Sequence, residues 1–246
     1  MIEVRDLTKL YGELVAVDHL SFEVAAGEVL GLVGPNGAGK TTTLRALAGI
    51  GAPTSGSVHI ARYDMAKQPL QAKRALAFIP DEPQLFDYLT VEEHLLFVAR
   101  LYGVADAPAR IPPLLAELEL EQKRTTLPGA LSRGMKQKLA IACGLLHEPV
   151  ALILDEPLTG LDPLAIRKMK ATIAARAGGG AAVILSSHLL HLVEELCTKI
   201  LVLQNGRRIA YGGIAEISAS VPQIAGQDLE DVFIALTQGA PVPPTP

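Results

Sequence analysis

The sequence predicts an α/β fold: a core of parallel strands, an antiparallel β unit ahead of it, and a helical stretch inserted within it. Three observations carry this expectation. The run VLGLVG at 29–34 is apolar, and a glycine-rich turn and a helical pattern over 41–48 follow it, which is the strand, loop, helix order of a parallel unit. Two later runs, 151–154 and 181–185, are apolar without alternation, as strands buried on both faces are. Between Phe86 and Pro149, the segments VEEHLLFVARLYG, PLLAELEL and GMKQKLAIACGLL all have helical spacing, and no strand pattern interrupts them.

Taken in chain order, 2–7 and 16–24 alternate apolar and polar residues around turn residues, so they read as an antiparallel pair. Further strands are expected at 57–60 and 75–79. KILVLQNGRRIAYG reads as a hairpin turning at Asn205-Gly206, because a two-residue turn favours residues that tolerate positive φ. LEDVFIALTQ reads as a short final helix, and GAPVPPTP, residues 239–246, as a Pro-rich disordered tail. The 246 residues are read as one domain, with 86–149 a helical insertion in its core.

Composition narrows the function classes. At 49% hydrophobic residues the chain can bury a large core, and a net charge of −4 leaves no overall basic field, so nucleic acid is not an expected partner. Cys143 and Cys197 each lie among apolar helical residues and read as two reduced core thiols, which fits a reducing cytoplasm. The most apolar stretch, LAIACGLLHEPVALIL, is broken by His147, Glu148 and Pro149 before it reaches the ~20 residues a bilayer span requires. MIEVRDLTKLYG lacks the basic start and apolar run of a signal peptide. A membrane role is therefore expected to be peripheral, on the cytoplasmic face.

The chemistry begins at GPNGAGKTT, which comprises Gly34, Pro35, Asn36, Gly37, Ala38, Gly39, Lys40, Thr41 and Thr42. It matches G-x-x-x-x-G-K-[ST] directly after an apolar strand and at the start of a helix, the context in which the pattern is informative. Glycines let backbone N–H groups curl around phosphate oxygens, Lys40 supplies a point charge, and the Thr41 hydroxyl can ligate Mg²⁺. In ALILDE, Asp155 ends a buried strand and is placed to hold the metal, while Glu156 points past the strand end to where a water would attack the γ-phosphate. SSHLLHLVEEL puts His188 just past the next buried strand, where it reads as a γ-phosphate sensor donating from one ring nitrogen. In LSRGMKQK, Ser132 is a good helix N-cap, and Gly134 in the first turn suggests a close backbone approach to an anion.

LSRGMKQKL, LILDEPLTGLDP and SSH, in this order after the phosphate loop, resemble the ATPase domain of ATP-binding cassette (ABC) transporters over nearly the whole chain. The resemblance implies a P-loop NTPase fold of the RecA-like kind, with ATP and Mg²⁺ as ligands. It implies two such domains facing head to tail, each ATP being held by one subunit's phosphate loop and by Ser132 and Gly134 of the other. Tyr11, on its own a strand-end aromatic, would then stack on adenine, and Asp162, on its own an N-cap before Pro163, would be the residue linking the two sites. The helical region would meet an integral membrane transporter subunit, taking a short helix of that partner into a groove.

Three positions depart from the family pattern. Asp81, between Pro80 and the following LF, stands where Gln is common; it can still ligate Mg²⁺ or orient water. Arg133 replaces the first of two signature glycines and either adds charge near phosphate or points to solvent; Met135 replaces Gln and is expected to pack. With the Glu-Pro that follows Asp81 and the ending LEDVFIALTQG, these residues resemble separate ATPase subunits of exporters. The alternatives are a soluble member of the same group acting on ribosomes or DNA, a P-loop kinase or GTPase, and a non-hydrolytic regulatory module. The first usually has two cassettes or long coiled coils, and the second leaves LSRGM unexplained.

Overall fold

The computed structural model describes residues 1–219 and 229–238, so the expected Pro-rich tail lies outside the described residues. Strands β1 (Ile2–Tyr11) and β2 (Leu14–Val24) form the expected antiparallel pair, running to the turn at Gly12 and Glu13. After β3 (Val29–Val33) and helix α1 (Lys40–Leu47), β4 (Ser55–Ile60) and the two-residue β5 (Tyr63–Asp64) join the same sheet, in the order β2-β1-β4-β5. Helix α2 (Pro69–Arg74) leads into β6 (Leu76–Ile79).

Three helices follow with no strand between them: α3 (Val91–Tyr102), α4 (Ala107–Glu117) and α5 (Arg133–Leu145). Thr90 caps α3 with a reciprocal box, its side chain accepting from the Glu93 N–H while Glu93 reaches back to the Thr90 N–H. Helix α4 begins at Ala107, ahead of Pro112 and Pro113, where the sequence pattern suggests a start at Pro113. The prolines lie on its exposed face, as do Pro108 and Ala109, whose carbonyls are the ones that lose their helical donors.

The chain then returns through β7 (Ala151–Asp155), α6 (Pro163–Gly178), β8 (Ala182–Ser186), α7 (Leu190–Leu196) and the hairpin of β9 (Lys199–Gln204) and β10 (Arg207–Gly213). Asn205 and Gly206 both have positive φ, 51° and 77°, as the tight turn requires. Helices α8 (Ile214–Ala219) and α9 (Leu229–Gln238) close the described chain.

The second sheet has the order β10-β9-β3-β8-β7-β6, parallel except for the edge strand β10. The middles of its central strands are apolar because each face meets a different core. Leu30, Leu32, Ile153, Ile184 and Leu201 pack toward the antiparallel sheet and α1, whereas Val29, Val33, Leu152, Leu154, Val183 and Leu185 pack toward the helices. Each such side chain, fully buried, contributes about 1.5–3 kcal/mol, which makes this sheet the rigid support of whatever its strand ends carry.

Candidate functional site

Four neighbouring parallel strands release polar residues at their C-terminal ends. The phosphate loop follows β3, Asp81 lies two residues past β6, Asp155 ends β7, and His188 lies two residues past β8. Crevices outside the carboxyl ends of such strands are where open α/β sheets bind ligands. Here the crevice is a cleft of about 690 Å³ lined by Tyr11, the loop from Asn36 to Thr42, Asp81, Asp155, Glu156 and His188. Leu14, Val15, Ala16, Thr159 and Asn205 complete its wall, and sequence reasoning had assigned them no site role.

The loop fits a phosphate by its backbone. Gly39 has φ 103°, and a Cβ there would sit 2.5 Å from the Ala16 carbonyl oxygen, so only glycine fits. Gly39 gives α1 no side-chain cap, which leaves the first-turn N–H groups to an external acceptor. Lys40 folds back, its Nζ donating to the carbonyls of Gly34 (2.6 Å) and Pro35 (3.2 Å). Burial pushes the Lys40 pKa below its usual value, and the Glu156 and Asp155 charges partly restore it.

The acids are held by the strand ends. Asp155 is buried and accepts the Ser186 hydroxyl at 2.5 Å, a tie between β7 and β8. Glu156, with φ 49°, turns out of the strand, and its N–H donates to both the carbonyl and the hydroxyl oxygen of Ser186. His188 Nδ1 lies 2.8 Å from Glu156 Oε2, and Thr159 Oγ1 lies 3.5 Å from the same oxygen. With Nδ1 carrying the proton to Glu156, the other ring nitrogen donates to a phosphate only when the imidazole is charged. Tyr11 ends β1 half exposed at the cleft's edge, with Lys9 Nζ 5.0 Å from its ring centroid.

Ser132, Gly134 and Asp162 do not line this cleft. Ser132 caps its own helix, accepting from the Met135 N–H at 3.2 Å, and Asp162 caps α6, accepting from the Ala165 N–H at 2.9 Å. A Cβ on Gly134 would lie 3.2 Å from Leu161 Cδ2 and 3.3 Å from the Gly160 carbonyl oxygen. The close approach foreseen at Gly134 is therefore made first by this chain's own residues 160–161. Met135 packs on the helical core, as its chemistry suggests. Arg133 neither stands free in solvent nor lines the cleft; it pairs with Asp81.

A second groove, about 310 Å³ and largely apolar, runs between α3, α5 and the segment after β6. Gln84 lines this groove, whereas Asp81 lines the cleft, which separates the two candidates for the position after Pro80. Phe86 meets Phe97 edge to face at 5.2 Å, and its N–H donates to His94 Nε2. Tyr102 stacks on His147 at 3.9 Å, and burial lowers the His147 pKa. Cys143 and Cys197 are free thiols, pushed by burial up to about 12.

A phosphate loop on one buried strand, with acids and a histidine at neighbouring strand ends, defines a nucleotide-hydrolysing P-loop fold. Comparison with known proteins takes this further. The model of the ABC transporter family matches residues 17–159. The ABC-type transporter ATP-binding protein EcsA of Bacillus subtilis is 36% identical over 97% of each chain. The Nod factor export ATP-binding protein I of Paraburkholderia xenovorans is 39% identical over 92% of this chain and 77% of its own. A solved ATP-binding subunit of an ABC transporter superposes with a TM-score of 0.92 at 38% identity, covering 96% of this chain and 99% of its own. The chain belongs to the ABC transporter family, and within it to the ATP-binding, ATP-hydrolysing subunits. Among the described residues, no helix is long and apolar enough to cross a membrane.

Proposed function

We propose that this chain is the cytoplasmic ATPase subunit of an exporter, driving a separate membrane subunit by ATP-dependent head-to-tail dimerisation. One observation carries the reading: Lys40, Asp155, Glu156 and His188 share one cleft, while Ser132, at the start of α5, lies outside it. The backbone from Gly34 to Gly39 and Lys40 bind the phosphates, and Tyr11 stacks on the base. The Thr41 hydroxyl and the Asp155 and Asp81 carboxylates are hard oxygen donors that fit Mg²⁺, which draws charge from the phosphate oxygens when bound. Glu156 takes the proton of the attacking water, and His188 positions the γ-phosphate from the same side.

Ser132 and Gly134 offer the N-terminus of α5 to the nucleotide of a second copy or a related subunit, and Asp162 stands beside that face. A swing of the dimer population from 1:99 to 99:1 needs about 5.5 kcal/mol, within reach of two phosphates each bound from two sides. The apolar groove of Phe86, Phe97 and Leu101 takes a short helix of the membrane subunit. Export as the direction is supported by likeness to the Nod factor export protein. The net charge of −4 supports a reading without nucleic acid.

The test is the solution mass of the Glu156→Gln protein with and without Mg-ATP, repeated with Ser132→Arg added. Doubling with nucleotide that the second change abolishes is the expected result. A mass of one chain in every condition would overturn dimerisation as a property of this subunit alone. Co-purification with an integral membrane protein tests the transporter half, and its absence would favour a soluble ATPase.

A further inference from the structure

Asp81 and Arg133, two of the positions at which this chain departs from its family's pattern, meet in space although 52 residues separate them. Arg133 lies in the first turn of α5, and its side chain crosses Gly160, where a Cβ would come within 3.2 Å of its Cδ. Its Nη2 donates to Asp81 Oδ1 at 3.2 Å. Asp81 lines the nucleotide cleft and Arg133 does not. The cleft wall carries three carboxylates, Asp81, Asp155 and Glu156, against one lysine, so the third carboxylate draws its counter-ion from outside.

We propose that Arg133 is a positioning residue that holds the Asp81 carboxylate at the rim of the cleft, and that Mg-nucleotide takes this carboxylate over. The inference rests on the reading of the cleft as a Mg-ATP site. Two cations then compete for one acid: an arginine beside Asp81 repels Mg²⁺ from the carboxylate that would ligate it. Both partners are about half exposed, with 58% and 43% of their side-chain surface accessible, so water weakens the pair enough for exchange. A glutamine in place of Asp81 would carry no charge and need no such partner. Binding at one end of the contact thereby frees the first turn of α5 at the other, which ties occupancy of the cleft to the state of the signature helix.

The experiment is a comparison of affinity for a non-hydrolysable ATP analogue, with Mg²⁺ and with EDTA, in four proteins: the unaltered chain, Arg133→Gln, Asp81→Asn and the double variant. Protein is kept at concentrations where its solution mass is that of one chain. Arg133→Gln is expected to tighten binding roughly two- to fivefold in Mg²⁺, the range an exposed ion pair can contribute, and to give no gain in EDTA. In the Asp81→Asn background the gain should vanish. An equal change in EDTA, additive effects of the two substitutions, or no change on losing Arg133 would overturn the proposal. Loss of folding does not confuse the result, since the altered side chains are exposed and the EDTA arm reports an intact site. Failure of all four proteins to bind nucleotide would overturn the cleft reading and this inference with it, a result distinct from binding without the Arg133 effect.

Discussion

Helices α1 and α5 both start at glycine-bearing turns, and both could face an anion, yet they are prepared in opposite ways. The start of α1 has no side-chain cap, sits on buried strands, and folds its own lysine over the loop carbonyls. The start of α5 is capped by Ser132, pressed against Gly160 and Leu161, and tied through Arg133 to Asp81. The first end leaves its first-turn donors without a side-chain cap, facing the cleft. The second has its Met135 N–H already held by Ser132, so an anion that engages that N–H must displace a contact already made. Two helix ends can thus share the same local motif and differ in what surrounds it.

Substitutions at each end can break this contrast. The largest effect is expected from Glu156→Gln in the cleft: turnover falling about 10² to 10⁴, the usual worth of general acid-base catalysis, with nucleotide binding kept. Phosphate-release kinetics beside a binding titration check both halves, and undiminished turnover would remove Glu156 from the role of base. Next, Lys40→Ala should weaken nucleotide affinity of the single chain roughly 10- to 100-fold, the range of a hydrogen bond to a charged group. Ser132→Ala should leave that affinity unchanged, and equal losses in the two variants would erase the distinction between the helix ends.

Smaller effects sharpen it. Ser132→Ala should lower unfolding stability by about 1 kcal/mol, the cost of a lost N-cap, as read from denaturant midpoints. No loss would mean that the Met135 N–H has another acceptor. The smallest effect lies just beyond the far end of α5, at His147. Its pKa in the folded chain is lowered by burial, so as pH falls below the ordinary histidine value the unfolded chain takes the proton first. The stability this neutral ring contributes is present above that value and is lost as pH falls toward the folded pKa. His147→Phe should therefore flatten the decline of the thermal midpoint between roughly pH 7 and pH 5. An unchanged slope would assign the decline to other groups.

What the sequence made legible was what local pattern determines. Strands buried on both faces leave unbroken apolar runs, so β3, β7 and β8 were found within a residue or two, and the polar residues at their ends with them. Two-residue β5 and six-residue α2 carry too few positions to show a period. Thr159 and Asn205 reach the cleft through a loop and a hairpin turn whose direction only the packed fold sets. The Arg133 to Asp81 contact joins the first turn of α5 to the segment after β6, distant in sequence, and no spacing rule encodes such a pair. Gly134 was recognised as a close-approach position, but which backbone approaches it depends on how α6 is docked.

The lysine resting on the Gly34 and Pro35 carbonyls has a kinetic consequence. Its ammonium stands among backbone groups of a loop whose turns are made by the positive-φ residues Gly37 and Gly39. An incoming nucleotide has to exchange carbonyl oxygens for phosphate oxygens around this one cation. Observed association rates should then rise in proportion to nucleotide concentration without levelling off, the signature of a single encounter step. If two subunits meet as proposed, a slow phase from that meeting should depend on protein concentration instead.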